Sequence, residues 1–432
     1  MGNKKSKQEI KNFFIDAKYG AFQKVSDEEI ELIQSILIDG NKTKKQVQQS
    51  SPWGMSKTDF IIRDLREKNL LNVLRGEQDT KGRKPFAYQM NGTIGYFLGM
   101  EVDIAYDRIV LVDMNGEITA SAEFTPSLGE KGVMGTICLH INSFLKSQGF
   151  TLSRIWAIGI GTHASFEDSE GIIQDTFNPD GISLNSSNAG FFPLKKHLEE
   201  NLGIPVFLER PKLLVTMPAN HRNIQKSQSN CISVNIGYGT GMAVFIGGKN
   251  YQGSSNLSGE IGHITIPGND KLCFCGNTGC LQTIISYKAI CEETLKQMRN
   301  LADSGISPSI REDELLGPDY EKGVLAIIRK AQENDKTCMN VITYAASTLG
   351  KIIAEVISVF NPDKLLIYSL LVTAGELFSD PLKVSLRSYT FSPSLNKMDM
   401  ELIPLEPFSV STGGAFNARE HCFEQIKLIR GK

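Results

Sequence analysis

Four residues able to bind a metal constrain this chain most. Cys273, Cys275 and Cys280 crowd into eight residues and His263 precedes them, giving the spacing H-x9-C-x-C-x4-C. Gly276 and Gly279 lie among them and let the backbone turn tightly about one centre. Three thiolates and an imidazole complete a tetrahedral zinc shell with no position left for water, so a Zn2+ ion held here is structural rather than hydrolytic. The other five cysteines (Cys138, Cys231, Cys291, Cys338, Cys422) are scattered and read as buried thiols. Eight cysteines in 432 residues are too few for a disulfide scaffold.

At 41% apolar and 22% charged, the chain can bury a sizeable core and is not of the disordered class. Its net charge of −2 excludes a basic nucleic-acid binder of the whole-chain kind. The average conceals an asymmetry: residues 1–90 carry 17 Lys and Arg against 12 Asp and Glu, leaving 29 against 36 for the remainder. The front of the chain is its basic part. No run of 18 apolar residues and no signal-peptide pattern occurs, so the expectation is a soluble, cytoplasmic protein without a membrane partner.

Residues 1–25 read as a solvated N-terminal extension and residues 26–90 as three capped helices followed by a two-stranded ribbon. Ser26 with Glu29, Thr43 with Gln46 and Ser56 with Asp59 form three capping-box patterns, and apolar residues recur at helical spacing behind the first and third. Leu71–Leu74 and Phe86–Met90 flank a polar loop with Lys81, Gly82, Arg83, Lys84 and Pro85. This is the pattern of a winged helix-turn-helix. Ser56, Lys57, Thr58 and Arg63 then fall at the start and along the exposed side of the second helix of the pair, and Arg83 and Lys84 on the wing. These six are the candidate contacts to duplex DNA.

From Tyr96 the pattern becomes α/β, without internal repeat or low-complexity segment. Strands are expected at Tyr96–Val102, Arg108–Asp113, Ile118–Phe124, Ile155–Gly161, Val206–Glu209, Cys231–Gly237, Ala243–Ile246 and Lys364–Tyr368. Helices are expected at Val133–Lys146, Lys195–Asn201, Ile284–Asn300, Val324–Phe360 and Gly414–Arg430, with a Gly-rich loop at 237–243.

The run Gly259-Glu260-Ile261-Gly262-His263, followed by Cys273-Phe274-Cys275-Gly276-Asn277-Thr278-Gly279-Cys280-Leu281, resembles the signature of the ROK family of bacterial sugar kinases and sugar-responsive repressors. The resemblance extends from about residue 26 to the C-terminus and includes the Gly-Arg-Lys-Pro wing, which belongs to the repressor branch. It implies an actin-like, two-lobed sugar-kinase body over residues 91–432, with one lobe of about 91–215 plus the C-terminal helix and another of about 216–410.

Against the kinases of that family the chain departs at each catalytic element. The first phosphate loop, an Asp-x-Gly-Gly-Thr in the kinases, is Glu101-Val102-Asp103-Ile104-Ala105 here. Both glycines are lost, and Asp103 adds a negative charge where phosphates would sit. Gly237-Tyr238-Gly239-Thr240-Gly241 keeps the second loop, whereas the paired glycines after Asn361-Pro362-Asp363 are replaced. The catalytic aspartate is replaced by Pro211, which cannot accept a proton. Losing a general base costs roughly 10² to 10⁴ in rate, so no catalytic residue is expected. Sugar contacts are implied at Glu260 and His263, and at Gln282 in place of a glutamate. Arg210 and Lys212 stand at the lip of the pocket, where they would suit a phosphorylated or acidic sugar; the competing reading is a vestigial pocket. The resemblance therefore implies a DNA-binding regulator of carbohydrate genes, a repressor, acting as a homodimer or higher oligomer on an operator. The rival readings are a sugar kinase and a regulator controlled by a protein partner.

Overall fold

The computed structural model describes residues 25–39, 42–75, 86–103, 105–125, 132–162, 165–167, 172–174, 191–218, 220–317 and 319–430. The N-terminal extension, Val25 apart, and the wing residues Arg83 and Lys84 lie outside the described residues.

The first unit is built as its caps dictate. Helix α1 (Asp27–Asp39) opens on a closed box in which Glu29 N–H donates to Ser26 Oγ at 3.2 Å and Ser26 N–H to Glu29 Oε2 at 2.6 Å. A two-residue strand β1 (Lys42–Thr43) precedes α2 (Lys44–Ser50), which Thr43 and Gln46 cap reciprocally. Helix α3 (Met55–Glu67) departs from the expected Ser56 cap: Gly54 is its N-cap, and Thr58 N–H already donates to the Gly54 carbonyl at 3.1 Å. The turn at 51–54 thus starts the helix two residues early. Strands β2 (Leu71–Arg75) and β3 (Phe86–Met90) pair antiparallel, with β1 on the other side of β3. Three packed helices and this ribbon form a winged helix-turn-helix, with Ile33, Val47, Leu65 and Leu70 fully buried between them.

The next unit begins with an antiparallel meander of β4 (Tyr96–Val102), β5 (Asp107–Asp113) and β6 (Ile118–Phe124). Gly116 makes its Asn-Gly turn at a φ of +91°. Helix α4 (Gly132–Ser147) leads to β7 (Ile155–Thr162), which lies parallel to β4. A small antiparallel sheet of β8 (Ser165–Glu167), β9 (Ile172–Gln174) and β10 (Phe191–Pro193) follows, then α5 (Leu194–Leu202) and β11 (Val206–Glu209), parallel to β7. The strand order is β11-β7-β4-β5-β6. Two short helices, α6 (Pro211–Leu214) and α7 (His221–Ser227), cross to the second unit.

There the plan repeats. Strands β12 (Cys231–Ile236), β13 (Thr240–Ile246) and β14 (Lys249–Asn250) form a second antiparallel meander. After the metal-ligand segment come α8 (Gln282–Ile285), α9 (Tyr287–Asp303), α10 (Glu312–Leu315), α11 (Tyr320–Gln332) and α12 (Lys336–Phe360). Strand β15 (Lys364–Ser369) runs parallel to β12, helix α13 (Glu376–Tyr389) packs on α12, and a short helix α14 (Ser392–Leu395) precedes β16 (Asp399–Ile403), parallel to β15. The order β14-β13-β12-β15-β16 mirrors that of the first sheet, so a topological repeat exists where the sequence shows none. The single helix expected over 324–360 is two: Asn334 takes a φ of +69° and Asp335 accepts from Cys338 N–H at 2.9 Å, capping α12. Helix α12 is long and apolar enough to cross a membrane by length and composition alone; most of it is buried inside the protein.

The chain returns to the first sheet through α15 (Ser409–Arg430), which packs on β4 and β7. Glycines permit the approach. A Cβ on Gly99 would stand 1.7 Å from the Ser411 carbonyl oxygen, one on Gly159 1.9 Å from that of Gly414, and one on Gly413 2.0 Å from that of Leu214. Helix α15 also touches α1, so one continuous core joins the winged helix-turn-helix to the first lobe. The fold is thus an N-terminal winged helix-turn-helix followed by a two-lobed, actin-like body.

Candidate effector and metal site

The strand-to-helix segment after β14 gathers the four ligand residues. Leu281 N–H donates to the Ile264 carbonyl, Ile266 N–H to that of Gly279, and Cys273 N–H to that of Asn277, each at 2.8 Å. Gly276 and Gly279, at φ of +88° and +87°, make the reversals between them. The ligand atoms of His263, Cys273, Cys275 and Cys280 then lie within 4.8 Å of one another, with Cys275 Sγ 3.7 Å from Cys280 Sγ and His263 Nδ1 3.8 Å from Cys273 Sγ. Ligand bonds of about 2.3 Å around a tetrahedral centre put sulfur atoms roughly 3.8 Å apart. The protonation chemistry fits a cation as well. Burial and the neighbouring thiols push Cys280 up to about 12, so a protein without a metal would not hold three thiolates here, whereas burial pulls His263 down and keeps its imidazole neutral, as a ligand must be. The cluster can hold one metal ion.

Gln282, an expected sugar contact, is buried and donates from Nε2 to Cys273 Sγ at 3.1 Å, so in this state it orients a ligand sulfur. Glu260 is occupied too: Lys212 Nζ donates to its Oε1 at 2.7 Å and also to the Ser258 carbonyl. Gly241 leaves room for the Lys212 stem, because a Cβ there would meet its Cδ at 2.9 Å. Arg210 donates from Nη1 to the Asn256 carbonyl. The two cations expected at the lip thus bond to the neighbouring backbone and to Glu260, and they line a cavity together with Glu209, Met242, Asn250 and Gln252. Burial lowers the pKa of the Lys212 ammonium against the opposing pull of Glu260, so the Lys212 charge is held at a cost in solvation.

Between the lobes a second group of residues had no local signal in the sequence. Arg108 of β5 donates from Nη1 and Nη2 to the two carboxylate oxygens of Glu321 on α11, at 3.0 and 2.7 Å, and from Nε to Glu123 at 2.8 Å. Its guanidinium lies 3.6 Å from the centre of the Tyr106 ring, whose hydroxyl also donates to Glu321. Burial is the largest influence on the Arg108 charge and opposes it, but the bonds to Glu321 together with Tyr106 and Glu123 outweigh it and hold the group protonated above its ordinary range. Glu101 is buried nearby, and burial, reinforced by Asp103, drives its carboxyl well above the usual range. A side-chain latch thus bridges the lobes beside the first loop, on a segment whose carboxylates disfavour phosphate.

The helix-turn-helix face is mixed. Ser56 and Arg63 are exposed on α3, and Lys57 is exposed but paired to Glu28 at 2.9 Å. Thr58 is fully buried, contrary to its expected place on the exposed side; its hydroxyl donates to the Gly54 carbonyl. In the first turn of α3 the inward face falls at Thr58, with Ile61, Ile62 and Leu65 following it.

Comparison with known proteins agrees with this architecture. A xylose repressor of Caldicellulosiruptor bescii is 24% identical over 387 residues, covering 88% of this chain and 92% of the relative. A glucokinase of Halalkalibacterium halodurans is 27% identical over 302 residues, 68% of this chain and 86% of the relative. The crystal structure of a ROK family transcriptional regulator, a homologue of the Escherichia coli MLC protein, superposes with a TM-score of 0.70 at 20% identity, covering 93% of this chain and 98% of that one. Since the family profile matches residues 98–406, well over half of the sequence, the chain belongs to the ROK family.

Proposed function

We propose that this protein is a DNA-binding transcriptional repressor of carbohydrate genes whose body senses a sugar or sugar derivative. The observation that carries the reading is the union of a helix-turn-helix unit, docked through α1 on α15, with a kinase-like body that has Pro211 where a proton acceptor is required. The Arg108–Glu321 latch supports it by filling the lobe interface with the chain's own charges. The repressor relatives support the same reading, including the 24% identical Mlc repressor of Escherichia coli, which matches over 86% of this chain. On this reading residues 26–90 bind an operator and 91–432 form the sensing and assembly body. A homodimer sets half-site spacing, and a structural Zn2+ sits on His263, Cys273, Cys275 and Cys280. Ser56, Lys57 and Arg63 on α3, with Arg83 and Lys84 on the wing, meet the duplex. The effector enters beside Glu260, His263, Gln282 and Arg210, displacing Lys212 from Glu260.

The test pairs two measurements on the full chain. Binding to duplexes selected from a random pool should fall steeply with salt, because Lys and Arg contacts release phosphate counterions. Sugar-dependent ADP release over a panel of hexoses should be absent. Turnover at ordinary kinase rates, about 1 to 100 per second, would overturn the repressor reading.

A further inference from the structure

The outward face of α3 carries an unexpected pair of apolar side chains. A solvated helix face is normally polar, yet Met55 is 69% exposed and Phe60 57% exposed. Ser56, Phe60 and Arg63 fall at i, i+4 and i+7 and share one stripe along the helix, and Met55 flanks it in the first turn. Most charges near this stripe are already engaged. Lys57 pairs with Glu28 and lies 5.9 Å from the Trp53 ring centre; Asp59 accepts from Lys44 at 2.8 Å and from Gln48 at 3.4 Å. The Arg63 guanidinium lies 5.6 Å from the centre of the Phe60 ring. What the outward side of α3 presents is therefore a methionine and a phenyl ring beside Ser56, Arg63 and, in the last turn, Arg66.

We propose that Met55 and Phe60 read thymine methyl groups in the major groove, making apolar contact a main source of operator specificity. The inference rests on the repressor reading above and deepens it. Base edges offer a recognition helix donors, acceptors and, on thymine alone, a C5-methyl group. Arg63 matches a guanine edge, whereas large apolar groups match the thymine methyl, and Met55 and Phe60 are the ones α3 exposes. The occupant is a duplex rather than an apolar protein because the stripe lies near the start of the second helix of a helix-turn-helix. Residues 1–90, which hold it, also carry a surplus of positive charge, 17 against 12. Arg63 beside the ring supplies the phosphate or guanine contact that fixes register, and Phe60 supplies discrimination.

Deoxyuridine in place of thymine removes the methyl and keeps the base pair. With a duplex selected by the full-length protein, single replacements should reveal at least one thymine per half-site whose loss weakens binding by roughly fourfold, the effect of unburying one methyl group. Phe60→Ala or Met55→Ala should weaken binding to the thymine duplex and remove the sensitivity at one matching position. Phe60→Leu should keep part of it. Both side chains are exposed, so circular dichroism of the variants should match the parent. If the protein selects a duplex but no thymine responds, the inference is overturned while the repressor reading stands. Sensitivity that persists in both alanine variants overturns the assignment to these residues, as does a change of oligomeric state in Phe60→Ala, which would make the stripe a protein contact. If no duplex is selected, both readings fall.

Discussion

The latch between the lobes gives the most quantitative test of what holds them together. Arg108 is 8% exposed and Glu321 18% exposed, with two hydrogen bonds of 2.7 and 3.0 Å between them. At an effective dielectric constant of about 20, opposite charges at such a distance attract by on the order of 4 to 6 kcal/mol. Desolvation offsets much of that attraction, so the pair as a whole contributes little. Breaking it from one side is different. Glu321→Leu leaves a buried guanidinium with only Glu123, which is half exposed, and should cost about 3 kcal/mol. For a unit of this size that is a melting-point decrease of roughly 6–12 °C. Adding Arg108→Met removes the stranded charge, and the double variant should recover most of the loss. Calorimetric melting of wild type, both single variants and the double variant completes the cycle. As a control, Glu312→Ala at the exposed Arg299–Glu312 pair should leave the melting point where it is. Additive losses at Arg108 and Glu321 would refute the latch, because independent residues do not rescue one another.

Two further expectations follow from the same coordinates. Cys275→Ser should abolish bound zinc in elemental analysis and lower the melting point by at least 5 °C or so, given that structural zinc in small peptide sites is worth on the order of 10 kcal/mol; a native protein free of metal and indifferent to chelators would contradict it. Burial raises the Asp107 carboxyl to about 6 although His140 Nδ1 lies 2.7 Å from one oxygen, and the other oxygen, Oδ1, has no hydrogen-bond partner. A carboxyl raised on folding binds more protons in the native state, so its contribution to stability is present at low pH and is lost as pH rises from about 4 through 6. The stability difference between wild type and Asp107→Asn should therefore shift in favour of the variant across that interval, measured by denaturation at each pH, and a flat difference would refute the raised value.

What the sequence made legible was local. Capping boxes put α1 and α2 at their observed starts because a cap needs residues only three apart, and the metal ligands were readable because all four sit within eighteen residues of chain. The third cap misled for the same reason: Ser56 and Asp59 have the right spacing, but a turn ending in Gly54 had already started the helix. Helix α13 was missed because Pro381 lies inside it, and β16 because Asp399–Ile403 is short and half exposed. The latch joins residues more than two hundred positions apart, as does the docking of α15, and neither leaves a periodic trace. The repeat of topology was invisible because strand order is fixed by which faces are apolar, a condition that unrelated sequences satisfy equally well.

A kinase and a sugar-responsive repressor can share this fold because function depends on the residues a scaffold carries rather than on the scaffold. Here a charged latch of the chain's own residues joins the two lobes. Lys212 and Glu260 form a second ion pair, at 2.7 Å. Lys212 belongs to α6, whose Leu214 carbonyl abuts Gly413 at the start of α15, and α15 in turn carries α1 of the helix-turn-helix. Glycine at 413, with glycines at 99 and 159 on the sheet, leaves no side chain in that path to absorb a displacement: backbone rests on backbone. Close packing transmits small movements where soft contacts would dissipate them. The pair at the pocket and α1, on which α3 packs, are therefore two ends of one contiguous contact, which is what ligand control of an operator-binding domain requires.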